Sequence, residues 1–349
     1  MITNGVVSGS LRDVATRHYE DGSEKLRLEP IQLTEKKLIE LGLSSQVAKA
    51  QSAVVRLRVN RSSSTKTLPA GSGHIFSPDG FGLTNWHVVD FFGILKGRQF
   101  YADFTLLPGQ SPPIKLPEDQ ISKRGIIDDR SFGSDDTRIT VYSVPITILE
   151  TSKEEDLALF AIDIPETQDP WPYTPIIDEV PKKGKEVFVT GHKGGTRHSL
   201  FSPGRVIDES FSFGAKTPKE FAEVKKLVSS LPSTPFTPVA LGSIKTSCRT
   251  GGGASGGALF MENGEEVRVA GTINAGAGRL RVLFVNFIDM LNGRIRDREE
   301  YPPAGYELIR GTKESGIPFL RKCGLNIDAL LKGNPARTSN VIKKEIEKS

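Results

Sequence analysis

An all-β fold is what this sequence predicts, and three observations predict it. Glycine and proline number 35 and 22 in 349 residues, so turns are frequent. Between the turns lie short Val/Ile/Phe runs of strand length, such as 53–59 and 156–162. Only one segment, 217–230, carries a full helical signature. Lys and Arg total 46 and Asp and Glu 42, and a net charge of +4 is too balanced to argue for nucleic-acid binding. No apolar run approaches the ~18 residues of a membrane span. The first residues, MITNGVVSGSLRD, lack a basic start followed by an apolar block, so neither a secretory signal nor a membrane partner is expected. Two cysteines, Cys248 and Cys323, do not make a disulfide framework. A cytoplasmic β protein with added segments is the expectation.

The elements follow in order. Thr34 caps a short helix ending near Gly42, and Ser44 or Ser45 caps another short turn through Val47. Residues 53–59 alternate as a half-buried strand. Residues 70–76 and 81–85 are strands joined by the turn Ser77–Gly80. Residues 122–136 are polar and charged, which reads as surface; 138–144 alternates as a strand. Further strands are read at 156–162, 187–190, 204–207, 242–246, 258–261, 267–273 and 281–287. Thr217, Pro218 and Glu220 form a helix start, Phe221, Val224, Leu227 and Val228 its apolar face, and Pro232 its stop. After Asn292 the pattern dissolves, with a short helix at 327–331 and a lysine-rich end.

Three stretches carry chemistry: Thr84–His87 (TNWH), Asp156–Leu159 (DLAL) and Gly253–Gly257 (GASGG). A serine hydroxyl becomes a nucleophile when a histidine removes its proton, and a carboxylate fixes that histidine's tautomer and stabilises its charge. Glycines around the serine let backbone N–H groups converge on the developing oxyanion.

In their flanking context these stretches resemble the trypsin-like serine peptidases, most closely the HtrA/Deg branch. Residues 71–89 (GSGHIFSPDGFGLTNWHVV) are similar to the strand–turn–strand that presents the catalytic histidine. Residues 156–162 resemble the catalytic-aspartate strand, 246–259 (TSCRTGGGASGGAL) the nucleophile loop, and 269–274 the strand after it. The order His, Asp, Ser is that of chymotrypsin. The resemblance covers about residues 50–290 and implies two six-stranded β-barrels with the active site in the crevice between them. It implies His87, Asp156 and Ser255 as the triad and Gly253 and Ser255 as the oxyanion hole. It implies Arg249, Asn274 and Gly276 as substrate-binding residues, a polypeptide substrate, and neither metal nor cofactor. Asp90 is the alternative carboxylate, too close to His87 in sequence for the family geometry.

Departures from the family bear on regulation. Residue 254 is Ala, where secreted trypsins have Asp, so an activation switch that pairs a new N-terminus with that Asp has no partner. The long His87–Asp156 spacing implies an insertion over 91–150. The residues after Asn292 are too few and irregular for a PDZ domain. The organisation expected is therefore an N-terminal extension over 1–50, a peptidase domain over 51–292, and a C-terminal extension over 293–349. A serine endopeptidase gated by its added segments or a regulatory protein partner is one reading. A catalytically silent trypsin-like module that binds a protein is the other. Arg249, six residues before Ser255, either meets an acidic P1 side chain in the S1 pocket or points away, leaving a small apolar pocket.

The remaining candidates read as structural. His18, His74, His192 and His198 have no metal-ligand spacing, and Gly191–Gly195 lacks the P-loop spacing. Cys248 reads as a small wall residue near the pocket, Cys323 as core or free thiol.

Overall fold

The computed structural model describes residues 31–32, 45–60, 67–90, 98–106, 127–132, 138–162, 170–192, 195, 199–211, 243–276 and 307–336. The helices read near residues 34–42 and over 217–230, and the strand read at 281–287, lie outside these residues.

Period-two alternation builds the first barrel. In β2 (Val54–Asn60), Val55, Leu57 and Val59 enter one core cluster while Arg56, also buried, lies on the opposite face. A bulge between Leu57 and Arg58 shifts its register against β3 (Thr67–Ile75). β4 (Phe81–Thr84) returns from the turn and leads into the one-turn helix α2 (Trp86–Val89); α1 (Ser45–Ser52) precedes β2. β5 (Phe100–Leu106), β7 (Arg138–Ser152) and β8 (Leu157–Ile162) complete a ring in the order β2–β3–β4–β8–β7–β5, closed by pairing of β5 with β2. β6 (Ile127–Phe132) adds a seventh strand on β7.

The second barrel closes in the same way. β9 (Glu186–Gly191), β12 (Ala258–Asn263), β13 (Glu266–Gly276), β14 (Glu307–Gly311), β11 (Ser243–Thr246) and β10 (Leu200–Phe211) form a six-strand ring, closed by pairing of β10 with β9. β1 (Ile31–Gln32) adds to the outside of β10. The fold is the chymotrypsin-like pair of antiparallel barrels that the sequence predicts.

Strands between the barrels are apolar on both faces, which explains their continuous hydrophobic runs. Along β8, Ala158, Phe160 and Ile162 fill the first barrel, while Leu157, Leu159 and Ala161 join a central cluster. Along β9, Val187 and Val189 fill the second barrel, and Phe188 joins the centre. There Phe188 packs on Phe201 and Phe260, with ring centroids 5.0 and 4.9 Å apart.

Segments read as additions are part of this framework. Val47 and Ala50 of α1 enter the central cluster, and Gln51 donates to the Ser199 carbonyl at 3.0 Å. The insertion read over 91–150 supplies β5, β6 and most of β7. The charged stretch 122–136, read as surface, contains β6. The second barrel does not end at 292, because its ring needs β14. After β14 a π-helical turn (Thr312–Gly316) leads to α3 (Ile317–Lys322) and α4 (Ile327–Leu331), which bury Ile317, Phe319, Leu320, Ile327 and Leu330 in the central cluster. Asn326 caps α4 through the Ala329 N–H at 3.1 Å. No helix among the described residues is long and apolar enough to cross a membrane.

The ring predicts a truncation result. A chain ending after Ala336 keeps a cooperative urea transition. A chain ending after Asn292 leaves β11 and β13 with unpaired edges and the central cluster uncovered, and loses that transition in circular dichroism.

Candidate active site

β4 and α2 carry His87 to the barrel rim. Its backbone N–H donates to Asp156 Oδ1 at 3.0 Å, and its ring Nδ1 lies 3.0 and 2.9 Å from the two carboxylate oxygens. The carboxylate therefore fixes the tautomer with Nδ1 protonated and Nε2 available as a base. Burial lowers the His87 pKa, but the charge and hydrogen bond of Asp156 outweigh it, and the net lies above the usual 6.5.

Asp156 is fully buried at the start of β8. Its φ of 51° makes it the sole non-glycine in the left-handed region among the described residues. Asn85, two residues before His87, donates from Nδ2 to the Asp156 carbonyl at 3.0 Å and to Asn274 Oδ1 at 2.6 Å. Asp90 ends α2, its N–H donating to the Trp86 carbonyl, and no hydrogen bond joins it to His87. The carboxylate against the histidine is thus Asp156.

Ser255 lies on the tight loop between β11 and β12. Ala254 N–H donates to Gly251 O at 3.0 Å, and Gly253 has a φ of 94°, the pattern of a type II turn with glycine at its third position. Gly256 has no room for a side chain, since a Cβ would lie 2.0 Å from Ser72 O. The Ala254 methyl is buried in the apolar cluster of the second barrel.

β3 of the first barrel grips this loop. Ser72 N–H donates to Ser255 O at 2.8 Å, and Ser72 Oγ donates to Gly253 O at 2.7 Å while accepting from His192 N–H at 2.9 Å. Two residues on, His74 is fully buried with Nδ1 3.2 Å from Gly256 O. The N–H groups of Gly253 and Ser255 make no hydrogen bond to a described residue. The Ser255 hydroxyl rests on Asn274 O at 3.2 Å, and no hydrogen bond links it to His87.

Asn274 is buried and is the bulged residue of β13 against β14, between the pairs Ile273–Ile309 and Ala275–Leu308. Pairing with β12 ends at Thr272, so the other edge of 274–276 has no strand partner among the described residues. Gly276 pairs with Glu307 at the end of β13. Arg249 is half-buried; its N–H donates to Ser202 Oγ at 2.8 Å, and its guanidinium has no hydrogen bond or ion pair with a described residue. No group of three His, Cys, Asp or Glu able to hold a metal exists among the described residues.

Sequence reasoning brought together His87, Asp156 and Ser255 but missed Ser72 and Asn85 and took His74 as merely structural. Alternation along β3 puts Ser72 and His74 on one face, opposite the packed Gly73, but the loop residues they hold lie 181 and 182 positions away.

The family model described as trypsin-like peptidase domain matches residues 71–269, more than half of the chain. No curated protein matches. Among solved structures, the inactive Ser343Ala form of Rv3671c from Mycobacterium tuberculosis is 17% identical with a TM-score of 0.45, covering 84% of this chain and 96% of that one. A serine endoprotease from Yersinia pestis is 16% identical with a TM-score of 0.44, covering 80% of this chain and 65% of that one.

His74 yields a prediction. Burial, opposed by its bond to the Gly256 carbonyl, lowers its pKa from 6.5 to about 4. Above pH 6.5 the imidazole is neutral folded and unfolded, and contributes no pH dependence. Between 6.5 and 4 the unfolded chain binds a proton that the folded one does not, so stability falls, by about 2 kcal/mol between pH 7 and 5. Urea unfolding at these two pH values should give a smaller loss for His74→Asn than for the parent. Equal losses would refute the buried neutral assignment.

Proposed function

The chain belongs to the trypsin-like peptidase family, and from that premise we propose that it is a serine endopeptidase. One observation carries the reading: a buried carboxylate orients a histidine in the barrel that grips the serine loop, and that loop holds two N–H groups with no acceptor among the described residues. In the proposed reaction Ser255 Oγ attacks the scissile carbonyl carbon as His87 Nε2 takes the hydroxyl proton. Asp156 stabilises the imidazolium. The N–H groups of Gly253 and Ser255 receive the oxyanion. The C–N bond then breaks, the imidazolium protonates the leaving amine, and water attacks the acyl-enzyme with His87 again as base. Before attack the hydroxyl must leave Asn274 O and turn to His87 Nε2. The edge of 274–276 offers the substrate backbone a strand to pair with.

The setting proposed is intracellular and regulated. Cys248 and Cys323 are buried and not joined in a disulfide, which fits a reducing compartment. Ala254 offers no carboxylate to a newly cut N-terminus, so control must act on the loop or on access to it. A second reading, a silent module that binds a protein partner in the cleft, is favoured by one observation, the serine hydroxyl bonded to Asn274 rather than His87.

A fluorophosphonate probe separates the two. The endopeptidase reading requires covalent labelling at Ser255, lost in Ser255→Ala and His87→Ala, and cleavage of unfolded protein lost in the same variants. Absence of labelling in the folded protein supports the module. Asp156→Asn should lower kcat on the order of 10⁴-fold, a magnitude transferred from other triad peptidases. Since His87 must be neutral to act, kcat/KM rises with pH through its raised pKa. Without the carboxylate, burial acts unopposed and this limb moves to lower pH.

For specificity, the Arg249 guanidinium, without a partner among the described residues, supports an acidic P1 residue, and the half-exposure of that side chain supports the small apolar alternative. Cleavage of a P1-varied peptide library decides. An acidic preference that disappears in Arg249→Ala supports the first; a small-apolar preference unchanged in both supports the second.

A further inference from the structure

Ser72 lies outside the triad and the oxyanion donors, yet all its polar groups act on the nucleophile loop or its support. The residue is fully buried. Its N–H holds the Ser255 carbonyl, its hydroxyl holds the Gly253 carbonyl, and the same hydroxyl accepts the His192 N–H just past β9. Its own carbonyl is held by Thr84 Oγ1 at 2.7 Å, which ties it to the β4 strand leading to His87.

The geometry follows the peptide planes. The Gly253 carbonyl belongs to the plane joining 253 to 254, and the Ser255 carbonyl to the plane joining 255 to 256. Ser72 grips both. The plane between them carries the Ser255 N–H and is fixed by its own carbonyl, which accepts from Gly257 N–H at 2.9 Å. The preceding plane carries the Gly253 N–H and has no such anchor: Gly252 is exposed, and a Cβ there would touch nothing. That plane can flip if Gly253 leaves its positive φ, since glycine adopts either sign readily. The hydroxyl bond to Gly253 O is the nearest side-chain restraint on this flip.

We propose that Ser72 is a positioning residue for the oxyanion site, its hydroxyl holding the Gly253–Ala254 turn in the form that keeps the Gly253 and Ser255 N–H groups convergent. This rests on the endopeptidase reading for its kinetic consequence, but not for its structural one.

The test compares wild type, Ser72→Ala and Ser72→Thr. It uses kcat and KM on a peptide amide, inhibition by a peptide aldehyde, thermal midpoint, and hydrogen exchange over 250–257. Removal of an oxyanion donor costs about 10²–10³ in kcat, so a mispositioned one should cost on the order of 10–100-fold. Ser72→Ala should therefore lose kcat by that factor with KM within about twofold, and lose aldehyde affinity in parallel. Exchange should rise over 250–257 and stay unchanged over 86–90. Ser72→Thr, which keeps the hydroxyl, should restore both. Unchanged kcat and unchanged exchange in Ser72→Ala overturn the proposal, as does a loss that Thr leaves in place. Should the alanine variant not fold, Ser72→Cys, of similar size but a weak donor, is read in its place. A wild type that neither cleaves nor labels refutes the endopeptidase reading alone, and the exchange comparison then decides the role of Ser72.

Discussion

The bond from Ser72 N–H to Ser255 O is the contact on which the site depends. It joins a strand of one barrel to the nucleophile loop of the other. His87 and Asp156 belong to the first barrel and Ser255 to the second, so their relative position is only as definite as the junction. Ser72, His74 and Arg56 all face that junction. Arg56 is engaged by Asp103 and reaches across to the Gly195 carbonyl at 3.0 Å. The buried rings of Phe188, Phe201 and Phe260, packed on one another in the central cluster, give the junction an apolar base. Polar contacts there set direction, and packing sets distance.

Such a junction must bury polar groups, and its two buried carboxylates are matched. Asp103 receives Arg56, Arg58 and the Ser143 hydroxyl. Asp156 has its carboxylate on His87 and its carbonyl on Asn85. Its left-handed φ carries strain on the order of 1 kcal/mol, and Asn85 and the His87 backbone hold it there.

Much of this was legible in the sequence because the informative signals are local. Alternation in 53–59 and the doubly apolar run 157–162 mark strands whose faces are set by period two. The motifs around His87, Asp156 and Ser255 carry their own turn chemistry. What escaped depends on partners remote in sequence. β14 is five residues with a buried arginine, Arg310, whose charge burial disfavours, with Glu155 and Asp156 opposing that effect. Nothing in ELIRG taken alone reads as the strand that closes a barrel. β1 is two residues long and exists because β10 offers it an edge. The strand that closes the second barrel lies past the boundary expected at 292 for the same reason, since its partners β11 and β13 are remote in sequence. Ser72 sits in a glycine-flanked GSG where a small residue is expected in any case, and only the loop opposite gives its hydroxyl a task.

The nucleophile loop also has an asymmetry between acceptors and donors. Its carbonyls at Gly251, Gly253, Ala254, Ser255, Gly256 and Gly257 all accept hydrogen bonds, from Ala254, Ser72, Gly257, Ser72, His74 and Ile273 respectively. The donors at Gly253 and Ser255 have no described acceptor. With these oxygens occupied, the N–H groups of Gly253 and Ser255 present positive potential to the cleft, as backbone anion sites do. In such a site an oxyanion gains hydrogen bonds that the ground-state loop lacks, and little reorganisation is required when charge develops. The first barrel thus contributes more than a histidine and an aspartate. By occupying the carbonyls through Ser72 and His74, it leaves the loop electrostatically biased toward the oxyanion of the proposed reaction.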